Sequence, residues 1–389
     1  MHINKKRLHM ECNLKLQGED WMKKQILIAT GLAVLSTSAF ASKARLEALG
    51  QNDDRGSFYV EDARNVFRNA AKVNTHKNYI TTEWGTASNT TDDSTTAPHA
   101  EGGFFREMGS FNYGVYMGSQ IDSQNSSRTA YQAHDNALDL FFGGDMGVQW
   151  GARVHYANGN TENAGTFKKE HSNFGLGLGM MMGDIEGYAN IILSDESKGG
   201  AAAADKFEAN GLNLGASYNL NGTKIFVDYD TDGYDDTVSG AKTEQTYTAI
   251  TVGVGRIHEV SSTARLNMDV KFVSEKDETK TTTTTETKET TLPLTLGFEA
   301  DATSWLTLRG SVSQNVIINN REVKTTTTNK NTKANTTNVS AGATLNFGKL
   351  KVDGSIGTTS HARNAAAQSE NGTLALDNVL TRVGVTYWF

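Results

Sequence analysis

Residues 264–272 of this chain read ARLNMDVKF, and apolar and polar side chains alternate through the whole stretch. The apolar residues are Leu266, Met268, Val270 and Phe272, and the polar residues are Arg265, Asn267, Asp269 and Lys271. Successive side chains of a β-strand point to opposite faces of the sheet. The alternation therefore predicts a strand with one apolar face and one charged face.

The same alternation recurs along the chain, for example in MGVQWGARVHYA from Met146 and in SWLTLRGSVSQ from Ser304. It predicts sixteen strands, or fourteen if the first two are left out. The predicted segments are 78–86, 100–107, 110–119, 136–144, 146–156, 171–181, 184–194, 207–219, 222–230, 244–256, 263–274, 290–300, 304–314, 337–347, 349–358 and 379–389. Either count is even, which places both chain ends on one side of a closed antiparallel barrel.

The connections between these segments are of two kinds. Short turns contain Gly143-Gly144-Asp145, Gly183-Asp184, Asn221-Gly222 and Gly348-Lys349, and longer polar segments cover 157–171, 195–206, 232–243, 274–289, 315–336 and 358–378. Such unlike ends are typical of an up-and-down meander. Two threonine-rich stretches, at 280–291 and 324–337, are expected to be flexible solvated loops, or alternatively exposed segments under external selection.

The beginning of the chain has the parts of a secretory signal peptide. Lys23 and Lys24 precede an apolar run at 26–35, and Ala39-Phe40-Ala41 forms a cleavage pattern. We therefore expect residues 1–21 to be leader from a start codon assigned too early, and 22–41 to be the signal peptide. Residues 42–75 would form an N-terminal segment with a short helix, periplasmic or lumenal, and 76–389 the barrel.

Composition and motifs exclude several kinds of chemistry. The single cysteine, Cys12, lies in the part that we expect to be removed, so the mature chain has no thiol chemistry. A net charge of −7 argues against a nucleic-acid partner. DYDTDG, from Asp228, begins like a calcium loop, but Ser239 stands where the loop needs a glutamate. No catalytic motif is present, so the sequence predicts no enzyme, no cofactor and no metal site.

Secretion, strands of this length and two unlike ends favour an all-β fold, a transmembrane antiparallel up-and-down β-barrel of about sixteen strands. The apolar faces would meet lipid and the charged faces would line the lumen. The lumen-lining candidates are Glu83, Asp139, Arg153, Glu186, Lys224, Arg265, Asp269, Lys271, Arg309 and Arg382, and strand parity adds Asp228, Glu299, Lys349, Lys351 and Asp353. Positive and negative charges nearly balance in this set, which predicts weak ion selectivity.

The chain ends in LTRVGVTYWF, residues 380–389, with Tyr387 and Phe389 on one face. This ending resembles the C-terminal signature of bacterial outer-membrane proteins. The resemblance implies that Tyr387 and Phe389 form the signal that the barrel-assembly machinery reads. It also implies a Gram-negative outer membrane as the location, with outer-membrane lipid and lipopolysaccharide as partners.

Residues 42–85 resemble the start of the major porin-like outer-membrane proteins of Bdellovibrio-type predatory bacteria. The stretch is also similar to the entry of fatty-acid transporter barrels, in which an Asn-Pro-Ala follows an N-terminal hatch. Asn69, Ala70 and Ala71 match that motif, without the proline. Residues 57–74 also predict a short amphipathic helix, which could constrict the lumen or pack beneath the barrel. Its apolar stripe is Val60, Ala63, Phe67 and Ala71.

A barrel of sixteen strands leaves an aqueous channel. The sequence therefore predicts a porin for passive diffusion of small hydrophilic solutes and ions, alone or as a homo-oligomer. Two alternatives remain open. One is a fourteen-stranded transporter of hydrophobic solutes, with 42–75 as its hatch. The other is a structural or adhesive barrel in which the threonine-rich loops matter and the lumen is closed.

Overall fold

A computed structural model describes residues 42–85, 100–119, 131, 137–162, 168–332, 337–361 and 382–389. The strands are β1 Tyr79–Gly85, β2 Ala100–Met108, β3 Phe111–Met117, β4 Leu138–Asp145, β5 Gln149–Thr161, β6 Lys169–Met182, β7 Ile185–Lys198, β8 Lys206–Leu220, β9 Thr223–Val238, β10 Ala241–Ser261, β11 Ala264–Lys280, β12 Thr284–Thr303, β13 Leu306–Lys324, β14 Thr328–Thr332, β15 Thr337–Phe347, β16 Leu350–His361 and β17 Arg382–Trp388. Neighbouring strands pair antiparallel, and β1 pairs with both β2 and β17, so the sheet closes on itself.

The closed sheet is a sixteen-stranded barrel. The short β14 pairs with the far part of β13, while β15 pairs with the rest of β13, so β14 and β15 are two sections of one barrel strand. This count confirms the prediction, and each predicted segment overlaps an observed strand. The first two predicted strands are real, because β1 and β2 complete the closure next to β17. The fourteen-stranded alternative is therefore wrong.

Burial on the strands is inverted relative to a water-soluble protein. On β11, Met268 and Val270 are 37% and 38% exposed, whereas Asn267 and Asp269 between them are 5% and 2% exposed. An apolar exterior around a polar interior suits lipid outside the barrel, where a closed ladder leaves no unpaired edge. The predicted alternation of faces is confirmed on this strand. Among the described residues, no helix is long and apolar enough to cross a membrane.

Val270→Arg should impair assembly of the barrel. Val270 is exposed on the outer face between Val254 and Leu294, and arginine at the bilayer midplane of a barrel costs about 2–4 kcal/mol. Lys271→Arg is the matched control, because it puts the same side chain one residue away on the inner face. The folded fraction can be measured by the different gel migration of unboiled and boiled samples. Equal folded yields of the two variants would contradict the assigned faces.

Three of the predicted loops, 232–243, 274–289 and 315–336, are in large part strand. β11 and β12 stay paired out to Lys280 and Thr284, although a membrane crossing needs only about 9–11 residues. Threonine favours strands, and cross-strand ion pairs such as Lys276–Glu286, at 2.9 Å, hold the hairpin together. The expectation of flexible threonine-rich loops is thus wrong for the described part, which excludes 333–336.

Three other predicted loops and the expected N-terminal segments remain, and of these only 195–206 is wholly described. The predicted loops at 157–171, 195–206 and 358–378 are shortened, because β5, β7 and β16 run on to Thr161, Lys198 and His361. The described parts do not include 163–167 and 362–381. The predicted leader and signal peptide, at 1–41, also lie outside them.

Residues 42–78 lie inside the barrel, and we call this segment the plug. It contains one α-helix, α1 at Lys43–Ala48, and two 3₁₀-helices at Ala63–Phe67 and Ala70–Asn74. Most of its side chains are buried, including those of Leu46 and Val73. The plug and the barrel belong to one compact unit.

The predicted continuous helix over 57–74 is wrong in detail. The side chains of Asp62 and Asn69 accept hydrogen bonds from the backbone N–H groups of Arg64 and Ala71, so each residue caps a new short helix. Residues 57–62 are not helical. The α-helix that does form, α1, is capped by Ser42, whose side chain accepts a hydrogen bond from the N–H of Arg45.

Candidate channel lumen and its plug

The inner wall of the barrel carries glycines where the plug comes closest. A Cβ atom at Gly151 would overlap the backbone of Ala70. One at Gly179 would overlap the side chain of Asn69 and lie 2.6 Å from the backbone nitrogen of Ala71, closer than real Cβ contacts come. Strands β5 and β6 therefore receive the second 3₁₀-helix of the plug at positions where only glycine fits.

Charge complementarity also joins the plug to the wall. Cations of the plug face carboxylates that project inward from the strands. The pairs are Lys43–Glu101 at 2.7 Å, Arg45–Glu299 at 3.1 Å, Arg55–Asp230 at 2.6 Å, Arg64–Glu101 at 3.4 Å and Lys72–Glu186 at 3.1 Å. The Arg45–Glu299 and Arg64–Glu101 pairs are buried, so removing one partner of either pair should be costly.

Glu299 on β12 is the centre of a network of charged side chains. It is 3% exposed and pairs with Arg45 of the plug, with Arg265 at 2.6 Å, and with Arg309. Arg45 also binds Asp62 of the plug at 2.8 Å. Three guanidinium groups thus surround one wall carboxylate, and the network links α1, the following loop of the plug and the barrel.

A second network holds the end of the plug. His76 Nε2 lies 2.8 Å from Glu61 Oε1, and Lys72 Nζ lies 3.2 Å from Glu61 Oε2. Burial alone would raise the pKa of Glu61, but the hydrogen bond with His76 and the charge of Lys72 lower that pKa to about 2. Glu61 is therefore ionised at neutral pH and neutralises part of the positive charge of the plug.

All ten predicted lumen-lining residues lie on the inner face. Buried are Glu83, Asp139, Arg153, Asp269, Arg309 and Arg382, and half-buried are Glu186, Lys224, Arg265 and Lys271. Their partners are wall residues or plug residues, for example Arg153–Asp139 at 2.7 Å and the backbone N–H of Lys43 on Glu83 at 2.8 Å. That they line a conducting path stays a prediction.

Lys349 was also predicted to face the lumen from the alternation of its strand, and this prediction is wrong. It lies exposed in the short turn after Phe347, because β15 ends there and the alternation stops. Arg382, by contrast, reaches the plug, where it pairs with Asp53 and lies 3.7 Å from Glu47.

Sequence reasoning missed the plug cations as partners of the wall. Arg45 and Glu299 are 254 residues apart, and no local pattern relates them. One usable signal was present, namely glycines such as Gly151 and Gly179 on the polar faces of strands. Glycine within a strand often marks a close approach of another backbone.

A cavity of about 210 Å³ remains between the plug and strands β9, β10 and β11. It lies farther from the short turns than Gly255 and Asn267, which contact the plug. Its lining includes Arg55, Phe58, Tyr59 and Arg68 of the plug and Phe226, Asp228, Asp230, Tyr247, Lys271 and Glu275 of the wall. The first two aspartates of DYDTDG, Asp228 and Asp230, therefore line this cavity, and the whole motif lies on β9 and not in a calcium loop.

The C-terminal residues complete the barrel. β17 pairs with β1 from Tyr79 opposite Trp388 to Gly85 opposite Arg382, and the N–H of Phe389 donates to the carbonyl of Asn78 at 3.1 Å. Tyr387 and Phe389 are 43% and 46% exposed. The predicted pairing of the last strand with the first is confirmed, and the role of the two aromatics as an assembly signal stays a prediction.

Neither a protein-family model nor a curated protein sequence matches the chain. Among solved structures, the toluene transporter TbuX of Ralstonia pickettii is 12% identical, with 91% of this chain and 99% of that chain covered and a TM-score of 0.36. The toluene transporter TodX of Pseudomonas putida is 11% identical over 89% and 96%, with a TM-score of 0.36. A mutant of the Rh. blastica porin is 10% identical over 80% and 98%, with a TM-score of 0.31.

Similarity at this level identifies neither a function nor a solute. The barrel assignment comes from the pairing of β1 with β17 and from the inverted burial of the strands. The resemblances to the porin-like proteins of Bdellovibrio-type bacteria and to fatty-acid transporters stay predictions.

Proposed function

We propose that the chain is an outer-membrane channel for small hydrophilic solutes, and that movement of the plug controls its opening. The observation that carries this proposal is the plug itself, which occupies a barrel wide enough to hold an aqueous channel. Outer-membrane lipid, lipopolysaccharide and the barrel-assembly machinery are the partners that this function implies. The sequence predicted an open porin through which solutes diffuse. Because the plug occupies the barrel, we propose a gated channel instead.

The chemistry of the wall supports hydrophilic solutes. A displaced plug would uncover inward carboxylates and cations, such as Glu101, Glu186 and Arg153, and water would hydrate them. A wall with so many charges offers little to an apolar solute. Since Glu101, Glu186, Glu299 and Asp230 would lose plug cations, the opened channel should favour cations more than the plugged lumen does.

Passage of hydrophobic solutes is a second candidate. One observation favours it, which is a group of aromatic rings between plug and wall. Phe58 stacks on Phe226 with ring centroids 4.3 Å apart, and Tyr188 lies 6.0 Å from Phe58. The N-terminal position of the plug also agrees with the hatch of that alternative.

Planar-bilayer recording of the folded wild-type chain tests the channel proposal. We expect short, infrequent openings, because the plug must move away from Gly151 and Gly179 of the wall before ions pass. If the channel opens, proteoliposomes that contain the protein should swell in a solution of small sugars. Uptake of an apolar solute without uptake of sugar would favour the second candidate. The absence of any current step, both in the folded wild type and in variants with a displaced plug, would contradict the channel proposal. It would favour a structural barrel with long surface hairpins.

A further inference from the structure

Ser42, the first residue of the plug, is fully buried where β1 and β17 close the barrel. A Cβ atom at Gly384 on β17 would lie 2.5 Å from the Cβ of Ser42 and 3.7 Å from the Cγ of Glu83 on β1. The backbone N–H of Lys43 donates to Oε2 of Glu83 at 2.8 Å. The plug therefore begins directly beside the side chain of Glu83.

Glu83 is a buried carboxylate without a close counter-charge. It is 5% exposed, and within the described part of the chain no cation lies within 4.0 Å of it. The other carboxylates around Ser42 each have such a partner. The pairs are Arg382–Asp53, Arg382–Glu47 at 3.7 Å, Lys43–Asp54 at 2.9 Å and Lys43–Glu101 at 2.7 Å. A buried charge like that of Glu83 is costly unless a cation reaches it.

The charges around Glu83 do not balance even when every group is counted in full. The immediate set, which we call the Glu83 cluster, has five carboxylates and three cations. They are Glu47, Asp53, Asp54, Glu83 and Glu101, with Lys43, Arg64 and Arg382. The adjoining network adds Asp62, Glu299 and Asp353, with Arg45, Arg265, Arg309 and Lys351. Among the described residues the two sets together hold eight carboxylates and seven cations, so one negative charge is left over.

The backbone nitrogen of Ser42 becomes a cation if the protein matures as the sequence predicts. Ala39-Phe40-Ala41 marks the bond before Ser42 for a signal peptidase. Hydrolysis of that amide by one water molecule puts the hydroxyl group on the carbonyl carbon of Ala41 and the hydrogen on the nitrogen of Ser42. The freed amine then takes up a proton, since α-amino groups have a pKa of about 7.7–8.0. Consecutive Cα atoms are about 3.8 Å apart, so this ammonium lies beside the carboxylate that the N–H of Lys43 contacts.

We propose that the α-ammonium group of Ser42, formed when the signal peptide is removed, pairs with Glu83 and anchors the plug to the strands that close the barrel. The added charge makes the cations of the two sets equal in number to the carboxylates. In the uncleaved chain the nitrogen of Ser42 is a neutral amide, so the plug is held less tightly. Seating of the plug is thereby coupled to maturation. This inference goes beyond the proposed channel function, because it concerns the anchoring of the plug whether or not the barrel conducts.

The protonation of Ser42 in the folded mature protein tests the pairing. Mass spectrometry of protein from outer membranes should find Ser42 as the first residue, and a different first residue would refute the proposal. Trace acetylation of the folded protein in detergent, followed over pH in its N-terminal peptide, should then give a midpoint about one pH unit above that of an unpaired α-amino group.

Glu83→Gln should lower this midpoint by about one pH unit, because it removes the partner of the ammonium group. Glu107→Gln is the matched control, since it removes another carboxylate of the wall that pairs with a plug cation, Lys77, near the surface. It should leave the midpoint unchanged. A midpoint in the wild type no higher than about 8, or the same midpoint in Glu83→Gln and wild type, would overturn the pairing.

A second measurement covers the case in which Glu83→Gln does not fold. The full mature chain can be refolded with an acetyl group on Ser42, which removes the charge and keeps every side chain. Backbone hydrogen exchange in the plug should then be about tenfold faster than in the free chain, the factor that corresponds to one pH unit. A glycyl group in place of the acetyl group adds a similar bulk but carries an ammonium, and exchange should be slower than in the acetylated chain.

Equal exchange in the free and acetylated chains would refute the anchoring. Equally fast exchange in the acetylated and glycyl chains would assign the effect to bulk and also refute it. Neither measurement uses ionic current. A raised midpoint and a slow-exchanging plug in a barrel that never conducts would therefore support the anchoring while contradicting the channel.

Discussion

Gly179→Val should turn a mostly closed barrel into a conducting one, with a rise in mean conductance on the order of tenfold, because a sixteen-stranded barrel without its plug holds an aqueous channel. The added side chain would occupy the space of Asn69 and of the backbone at Ala71, so the second 3₁₀-helix of the plug cannot stay seated. Planar-bilayer recording measures the effect, and reversal potentials in a salt gradient should show an increased preference for cations.

Gly187→Val is the matched control. Gly187 lies on the neighbouring strand β7, and a Cβ there would have its nearest contact at 3.6 Å, on Met180, which is ordinary packing. Both variants add the same side chain to a glycine of the wall, Gly179 on the inner face and Gly187 on the outer face, and only the first meets the plug. The same conductance in both, whether raised or unchanged, would show that seating of the plug does not control the channel.

Arg45→Met should destabilise the seated plug by about 3–5 kcal/mol, the usual cost of removing one partner from a buried ion pair. The substitution leaves Asp62 and Glu299 with less positive charge around them, although Arg265 and Arg309 still reach Glu299. The expected result is a lower urea concentration at which conductance rises, while unboiled and boiled samples of the barrel still migrate differently on a gel.

Lys77→Met is the control for this substitution. Lys77 pairs with Glu107 near the surface, and such exposed pairs contribute little because water and salt screen them. A similar shift in the two variants would mean that the Arg45 network does not hold the plug.

The strands of the wall could be predicted from the sequence because their signal is local. In ARLNMDVKF the neighbours of each residue already define its face, and Val270 and Asp269 lie where the alternation puts them. The outer hairpins were missed for the opposite reason. Repeated threonines and charges around 280–291 are compatible with both loop and strand, and cross-strand pairs such as Lys276–Glu286 decide between them.

The plug could be predicted as a segment but not as a structure. Its apolar positions at Val60 and Phe67 suggested one helix, whereas the capping side chains of Asp62 and Asn69 divide it into short turns. Its place inside the barrel depends on contacts such as Arg45–Glu299, which join distant parts of the chain. The cavity at Arg68 depends in turn on where the plug ends up, and no sequence pattern contains that information.

The seam between β1 and β17 has a consequence for how the protein is made. Several contacts of the plug fall on this seam: for example, the backbone N–H of Lys43 donates to Glu83 on β1, Arg382 on β17 pairs with Asp53, and Ser42 packs against Gly384. The plug is the N-terminal part of the described barrel unit and β17 the C-terminal part, so these contacts join the two ends of the unit at the place where the ring closes. The plug thus contacts both edges that must pair to close the ring, and we expect a chain without residues 42–78 to close its barrel less efficiently.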